Sequence, residues 1–228
     1  MSETTLPRRK PETLATKAYQ RLRHDIISGG FEFGQKLNTQ MLCERYGIGL
    51  APVREALNRA SVERLVTLSD HRGFSVSPIS ESDLDDILKS RIALNEFALR
   101  DAIRNGDEKW EESILISHHK LTRIPYAPLN VDPAWETAHR AFHSALLAAC
   151  TAPSILNFCE QLFDAADRYR HLARRSVNRA KRGVDHKVIA EMTLAREEDK
   201  AVALLTRHMS DTAELCREEL RKILHAQS

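Results

Sequence analysis

The chain has 228 residues, 42% of them hydrophobic and 29% charged, and its formal net charge is +2. That length supports one large core or two modest ones, and no run approaches the roughly 18 apolar residues of a membrane span, so no membrane partner is expected. The first residues, "MSETTLPRRKPE", lack the apolar stretch of a secretion signal, and Cys43, Cys150, Cys159 and Cys216 show no C-x-x-C spacing; a cytoplasmic protein with buried, reduced thiols is expected. Charge is unevenly placed: residues 1–78 hold 12 Lys and Arg against 8 Asp and Glu, and the remaining 150 hold 22 against 24.

Residues 1–12 read as a flexible charged arm in which Arg8, Arg9 and Lys10 can add phosphate contacts. Leu14, Ala18, Leu22, Ile26 and Ile27 recur at helical spacing, which predicts a helix from Thr13 to Gly29 ended by "SGG". "FEFGQKL" follows as an extended connector. "NTQMLCERYGIG" predicts a short helix with Asn38 or Thr39 as N-cap and Gly47 as its stop. A further helix begins near Ala51 and Pro52, with Val53, Ala56, Leu57 and Ala60 facing inward. "LVTLSDHRGFSVSPI" then alternates on both sides of a polar turn, as a β-hairpin does. The order of three helices and a hairpin predicts a winged helix-turn-helix over residues 13–78.

From residue 79 to 228 only helical periodicity is found, so the fold class is mainly α: a winged helix followed by an all-α bundle. The predicted helices run from Ser80 or Ser82 to Gly106, Asp107 to Thr122, Ala134 to Ala149, Ser154 to Arg182, Val184 to Arg196 and Glu198 to Ala226. "RIPYAPLNVDP" is a loop.

In a helix-turn-helix the second helix enters the major groove and its first turn meets base edges, while the wing grips backbone or minor groove. Arg54 occupies that first turn, where a guanidinium can pair with guanine; an ordinary solvated charge beside Glu55 or Asn58 is the alternative. Gln40, Arg59, His71, Arg72 and Gly73 complete the DNA-binding candidates. A dimer reading a pseudo-palindromic double-stranded operator is expected, since one half-site offers few contacts.

His139 and His143 lie at i and i+4 in "AHRAFHSALLAA", on one face of a helix. Buried imidazoles need partners for both ring nitrogens, so the pair calls for a structural hydrogen bond, a base-and-orienter arrangement or a metal ion. A metal needs at least three protein ligands, and His186 and His208 stand where facing helices of a bundle can converge. His24, His118, His119, His171 and His225 read as surface residues, and Glu136 as solvent-facing. A four-histidine metalloenzyme with a vestigial DNA module is the alternative function, although the chain has no nucleophile elbow or Gly-rich phosphate loop.

"LNTQMLCERYGIGLAPVREALNRASVERLV" with "HRGFSV" resembles the winged-helix signature of the GntR superfamily, in its FadR-like branch, over about Leu14–Val76. The resemblance implies a base-reading role for Arg54 and the wing glycine at Gly73. It also marks departures: Gly49-Leu50 replaces a Ser-Arg pair whose arginine contacts DNA, Arg64 replaces a glycine, and Phe33-Gly34 replaces Pro-Gly. "HRAFH", "DH" and "RH", within about Asp83–Glu219, resemble the FCD ligand-binding domain of the same branch. That implies His143, His186 and His208 as metal ligands, with His139 in the place of an aspartate. Imidazole for carboxylate makes the site more positive and softer, favouring Zn or Ni as the divalent cofactor. The family's R-x-x-x-E becomes Arg91 and Asn95, the expected effector contacts, and the resemblance implies a small organic acid as effector. The whole is expected to be a homodimeric transcription repressor under metabolite control.

Overall fold

The computed structural model describes residues 12–69, 73–125, 133–173 and 179–226. The chain divides after Pro78 into two compact units. None of the described helices is long and apolar enough to cross a membrane.

The first unit packs α1 (Leu14–Ile27), α2 (Thr39–Tyr46) and α3 (Leu50–Val62) against a small antiparallel sheet of β1 (Lys36–Leu37), β2 (Val66–Ser69) and β3 (Gly73–Val76), in the order β1-β3-β2. Thr13 caps α1, and the Asn38 Oδ1 accepts from the amides of Gln40 and Met41, at 2.8 and 3.2 Å, to start α2. Gly47 ends α2 in the left-handed region at φ +64°, a conformation that costs glycine least. The connector before α2 is more than extended. Lys36 and Leu37 pair with Ser75 and Phe74, so the wing is a three-stranded sheet. Val66 opposite Val76 and Ser69 opposite Gly73 set the hairpin register. Leu22, Ile26, Leu42, Leu57 and Leu65, all buried, form the core between helices and sheet; each contributes about 1.5–3 kcal/mol by leaving water.

The second unit is helical throughout its described residues: α4 (Glu81–Asn105), α5 (Glu108–Arg123), α6 (Pro133–Leu147), α7 (Pro153–Ala173), α8 (Arg179–Leu194) and α9 (Glu198–Ala226). Ser80 caps α4 by accepting from the Asp83 amide. Gly106 ends it beside the Trp110 ring, where a Cβ would lie 2.0 Å from a ring carbon. The Trp110 indole N–H donates to the Ala145 carbonyl at 2.9 Å, tying α5 to α6. Leu99, Ile114, Phe142, Leu146, Ile189 and Leu205 form the main core. Around Leu84, Tyr169 and Leu220, α4, α7 and α9 form a second one. Tyr169 hydroxyl donates to Asp83 at 2.6 Å, Arg217 pairs with Asp85 at 2.5 Å and Arg221 with Glu81 at 2.7 Å, fixing α7 and α9 to the start of α4.

One boundary differs from the sequence expectation. Residues 179–182 belong to α8 and not to α7, so Gly183 lies inside a helix and His186 sits well into it. A mid-helix glycine costs about 1 kcal/mol against alanine, which the burial of Ile189, Ala190 and Thr193 on one face outweighs.

Candidate metal centre and DNA-reading helix

On α3 the inward stripe Val53, Ala56, Leu57 and Ala60 is buried. The opposite face carries Leu50, 49% exposed, with Ala51, Arg54, Glu55 and Asn58 also exposed. Arg54 makes no hydrogen bond or ion pair with any described residue, including Glu55 and Asn58. The N-cap, Gly49, supplies no side-chain bond, so the first amides of α3 keep their capacity to donate to an anion. Gln40 is exposed in the first turn of α2, with its amide donating to Glu44 at 3.3 Å. Gly73 opens β3 at φ +75°. His71 and Arg72 lie outside the described residues.

Arg59, expected to contact DNA, also has partners within the first unit. Its Nε donates to Glu63 at 3.5 Å, and its guanidinium lies 3.8 Å from the centre of the Tyr19 ring. Tyr19 itself donates to Glu63. Burial, followed by the carboxylate of Glu63, pushes the Tyr19 hydroxyl up to about 12, so it remains a donor. Arg59 therefore joins the end of α3 to α1. Nearby, Arg64 stands at φ +58°, which explains why a glycine suits that position in the signature.

The second unit brings four histidines to one point. On α6, Trp135, Ala138, His139, Phe142, His143 and Leu146 form the buried stripe, so the i,i+4 pair points inward. His186 lies on the buried face of α8 and His208 on that of α9 beside Leu205 and Met209. One ligating atom from each of His139, His143, His186 and His208 lies within 4.8 Å of the others, and all four residues are buried. Ring centres are 4.5 Å apart for His139 and His143, 5.4 Å for His143 and His208, and 4.7 Å for His186 and His208. Trp135 stacks on His139 at 4.8 Å, which fixes the plane of that ring.

The electrostatics favour neutral rings. Burial drives His139 well below the ordinary imidazole range, helped by Arg170; burial does the same for His143, helped by His208 and His186. Neutral imidazole is the ligating form. The Nε2 atoms of His139 and His143 are 3.1 Å apart, near the roughly 3.3–3.4 Å expected of two nitrogens sharing a tetrahedral zinc at about 2.0–2.1 Å. The Nδ1 of His139 is buried without a hydrogen-bond partner. Beside the rings, a void of about 10 Å3 is bordered by Arg91, Phe163, Arg170 and Thr212 as well as His139, His143 and His208, room for one small species. The donor set, the protonation state and the space all fit a divalent ion.

Next to that void, sharing His143 and Phe163, lies a cavity of about 270 Å3. Asn95, Arg140 and Ser144 give it polar groups, and Leu147 and Leu156 give it an apolar wall. Asn95 is buried, its amide donating to the Arg91 carbonyl at 2.9 Å. Arg91 is only 8% exposed. Its Nε is buried without a partner, and its guanidinium makes no hydrogen bond or ion pair with any described residue; the nearest π-face is Phe163 at 5.5 Å. Burial, then the repulsion of Arg170, pushes it down to about 10, so it stays charged at neutral pH. Arg91 forms no ion pair with Asp85 or Glu96; those carboxylates pair with Arg217 and Arg100.

Two surface assignments change. Glu136 turns inward to Arg170 at 3.2 Å, because Arg170 is buried on α7 and needs a counter-charge there. His118 is half-buried against Phe142, its Nε2 enclosed and its pKa lowered by burial. His24, His119 and His225 are exposed, and the side chain of His171 lies outside the description. Arg140, Phe163 and Arg170 were not singled out from the sequence. The signal for Phe163 and Arg170 was "FDAADRYR", charges on every side of a helix too hydrophobic in its neighbours to be a surface one.

A family model described as bacterial regulatory proteins, gntR family, matches residues 14–76, and one described as FCD domain matches residues 86–211. An HTH-type transcriptional regulator called BphR, from Paraburkholderia xenovorans strain LB400 and named uncharacterized, is 34% identical over 90% of this chain and 86% of its own length. The HTH-type transcriptional repressor GlaR of Escherichia coli K12 is 34% identical over 84% of this chain and 90% of its own. Among solved structures, E. coli McbR/YncC matches with a TM-score of 0.77 at 21% identity, over 92% of this chain and 99% of that one, a likeness of fold.

An uncompensated buried guanidinium costs stability, so Arg91→Met should stabilise the ligand-free protein by about 1–3 kcal/mol. Urea unfolding measures this; an unchanged or lowered midpoint would mean that the guanidinium is satisfied where it stands.

Proposed function

The chain belongs to the GntR family of bacterial regulatory proteins, in its FCD-bearing branch, and is a DNA-binding transcription regulator and not an enzyme; we propose that it is a homodimeric repressor whose hold on its operator is set by a small carboxylate effector at a histidine-held metal. The observation that carries this reading is the convergence of His139, His143, His186 and His208 beside the unpartnered Arg91.

In the first unit, Arg54 stands exposed in the first turn of α3, free to make a bidentate pair with a guanine, while the uncapped amides of that turn donate to phosphate. Gly73 gives the wing its tight start, and Gln40 adds a polar contact from α2. Two copies related by a two-fold axis read a pseudo-palindrome.

In the second unit, the four imidazoles would hold the ion, and an all-imidazole set suits Zn or Ni better than a hard cation. When bound, the ion supplies a fixed positive charge that attracts a carboxylate oxygen. Arg91 offers the planar fork that pairs with a carboxylate, Asn95 holds the Arg91 turn of α4, and the adjoining cavity takes the body of the effector. The effector changes operator occupancy only by the difference in its affinity for the DNA-competent and incompetent states. The name of GlaR, a repressor, supports the sign of control.

Protein purified without a nickel column should carry about one divalent ion per chain by elemental analysis. Protein that stays metal-free when offered Zn2+ or Ni2+ would leave the histidines a hydrogen-bonded structural cluster. Arg54→Ala should weaken operator binding by about 1–3 kcal/mol in gel-shift titration at matched salt, with the helical unit still folded; an unchanged dissociation constant would rule out the proposed docking of α3.

A further inference from the structure

The first turn of α3 turns an apolar side chain toward water. Leu50 is 49% exposed, and Ala51 beside it is exposed as well. The core-facing stripe of the helix, Val53, Ala56, Leu57 and Ala60, is buried without them. A single exposed leucine is ordinary on a protein surface. What distinguishes this one is its company: Leu50, Arg54 and Asn58 follow at i, i+4 and i+8, one above the other on a single face, and all three are exposed.

The backbone around Leu50 suits the close approach of an anion. Pro52 has no N–H, and the Val53 amide donates to the Gly49 carbonyl, so the amides of Leu50 and Ala51 are the ones left without an acceptor among the described residues. Gly49, before them, stands at φ −67°, which any residue adopts, and a Cβ there would meet nothing within 4 Å. Neither conformation nor packing asks for glycine at that N-cap, where a Ser, Thr, Asp or Asn side chain would occupy the amides. The bare cap leaves them to a phosphate. A phosphate held there sets the start of α3 against the duplex, and Leu50 is then among the N-terminal side chains that reach base edges.

A major-groove edge distinguishes one base from another by its donors, its acceptors and, on thymine alone, a C5 methyl group. Leucine has neither donor nor acceptor. Against the polar atoms of guanine, adenine or cytosine it removes water without replacing the lost bonds, and against thymine it meets a methyl group. Residues four apart on a helix lie about 6 Å apart along its axis, nearly two base-pair steps of about 3.4 Å. We propose that Leu50 is a specificity-determining residue that packs against the C5 methyl of a thymine within about two base pairs of the guanine paired with Arg54. This rests on the docking of α3 described above.

The test uses the full-length protein and a library of double-stranded oligonucleotides with a randomised centre, from which bound duplexes are selected and sequenced. Wild-type protein should enrich a guanine that Arg54→Ala no longer selects and, close to it, a thymine. In the best selected duplex each thymine is then replaced by deoxyuridine, which removes the methyl group and leaves every hydrogen-bonding atom in place. At the thymine beside that guanine, the replacement should weaken wild-type binding about fourfold in anisotropy titration at fixed salt, the factor that burying one methyl group is worth. Leu50→Ala should bind the thymine and deoxyuridine duplexes alike. The deoxyuridine comparison needs no variant, so it decides even if Leu50→Ala does not fold. The inference is overturned if no thymine near that guanine is enriched, if deoxyuridine there leaves the wild-type dissociation constant unchanged, or if Leu50→Ala keeps the difference. Enrichment of no sequence, or of one that Arg54→Ala selects unchanged, overturns instead the docking of α3 beneath it.

Discussion

Inside a helical bundle the backbone donors and acceptors are already used, so a buried polar side chain must be met by another side chain or by a guest. The second unit of this chain places four imidazoles and a cluster of guanidinium groups in that position. Most of the guanidinium groups are met within the protein: Arg170 by Asp167 and Glu136, Arg140 by Asp164, Arg168 by Asp83. Arg91 is the exception among the described ones, and it borders the same void as His139, His143 and His208. Leaving a buried guanidinium unmet costs stability.

The surrounding fold holds that site rigidly. Trp135 fixes the plane of His139, Phe163 lies close to both the histidines and Arg91, and the Tyr169–Asp83, Arg217–Asp85 and Arg221–Glu81 contacts lock α4, on which Arg91 sits, to α7 and α9. In the first unit the logic is the reverse: Arg54 is exposed and pairs with none of the described residues, at low cost in water. One site is preorganised at the expense of stability, the other is presented at the surface at almost none.

Much of this was legible in the sequence where local chemistry decides structure. The caps Asn38 and Ser80, the stops Gly47 and Gly106, and the α3 stripe depend on neighbouring residues only. The i,i+4 spacing of His139 and His143 put both rings on one face. What was not legible depended on tertiary partners. Gly183 reads as a helix breaker until the burial of Ile189 and Ala190 is known. Glu136 reads as solvent-facing until Arg170 is seen opposite it, and the contacts of Arg59 with Glu63 and Tyr19 join α3 to α1. His118 reads as surface because its enclosing neighbour, Phe142, lies on another helix. The pairing of Lys36 and Leu37 with β3 joins residues far apart in the chain, which no local pattern carries.

The central claim is that the ion among the histidines couples ligand to DNA. Fluorescence anisotropy of a labelled operator fragment, followed as succinate, a small carboxylate, is added to zinc-loaded wild-type protein, to the same protein stripped by a chelator, and to His143→Ala, tests it most directly. The account predicts release of DNA by the zinc-loaded protein alone, with all three binding the operator equally before the acid is added. Release of the operator by His143→Ala at the same acid concentration as the wild type would contradict it.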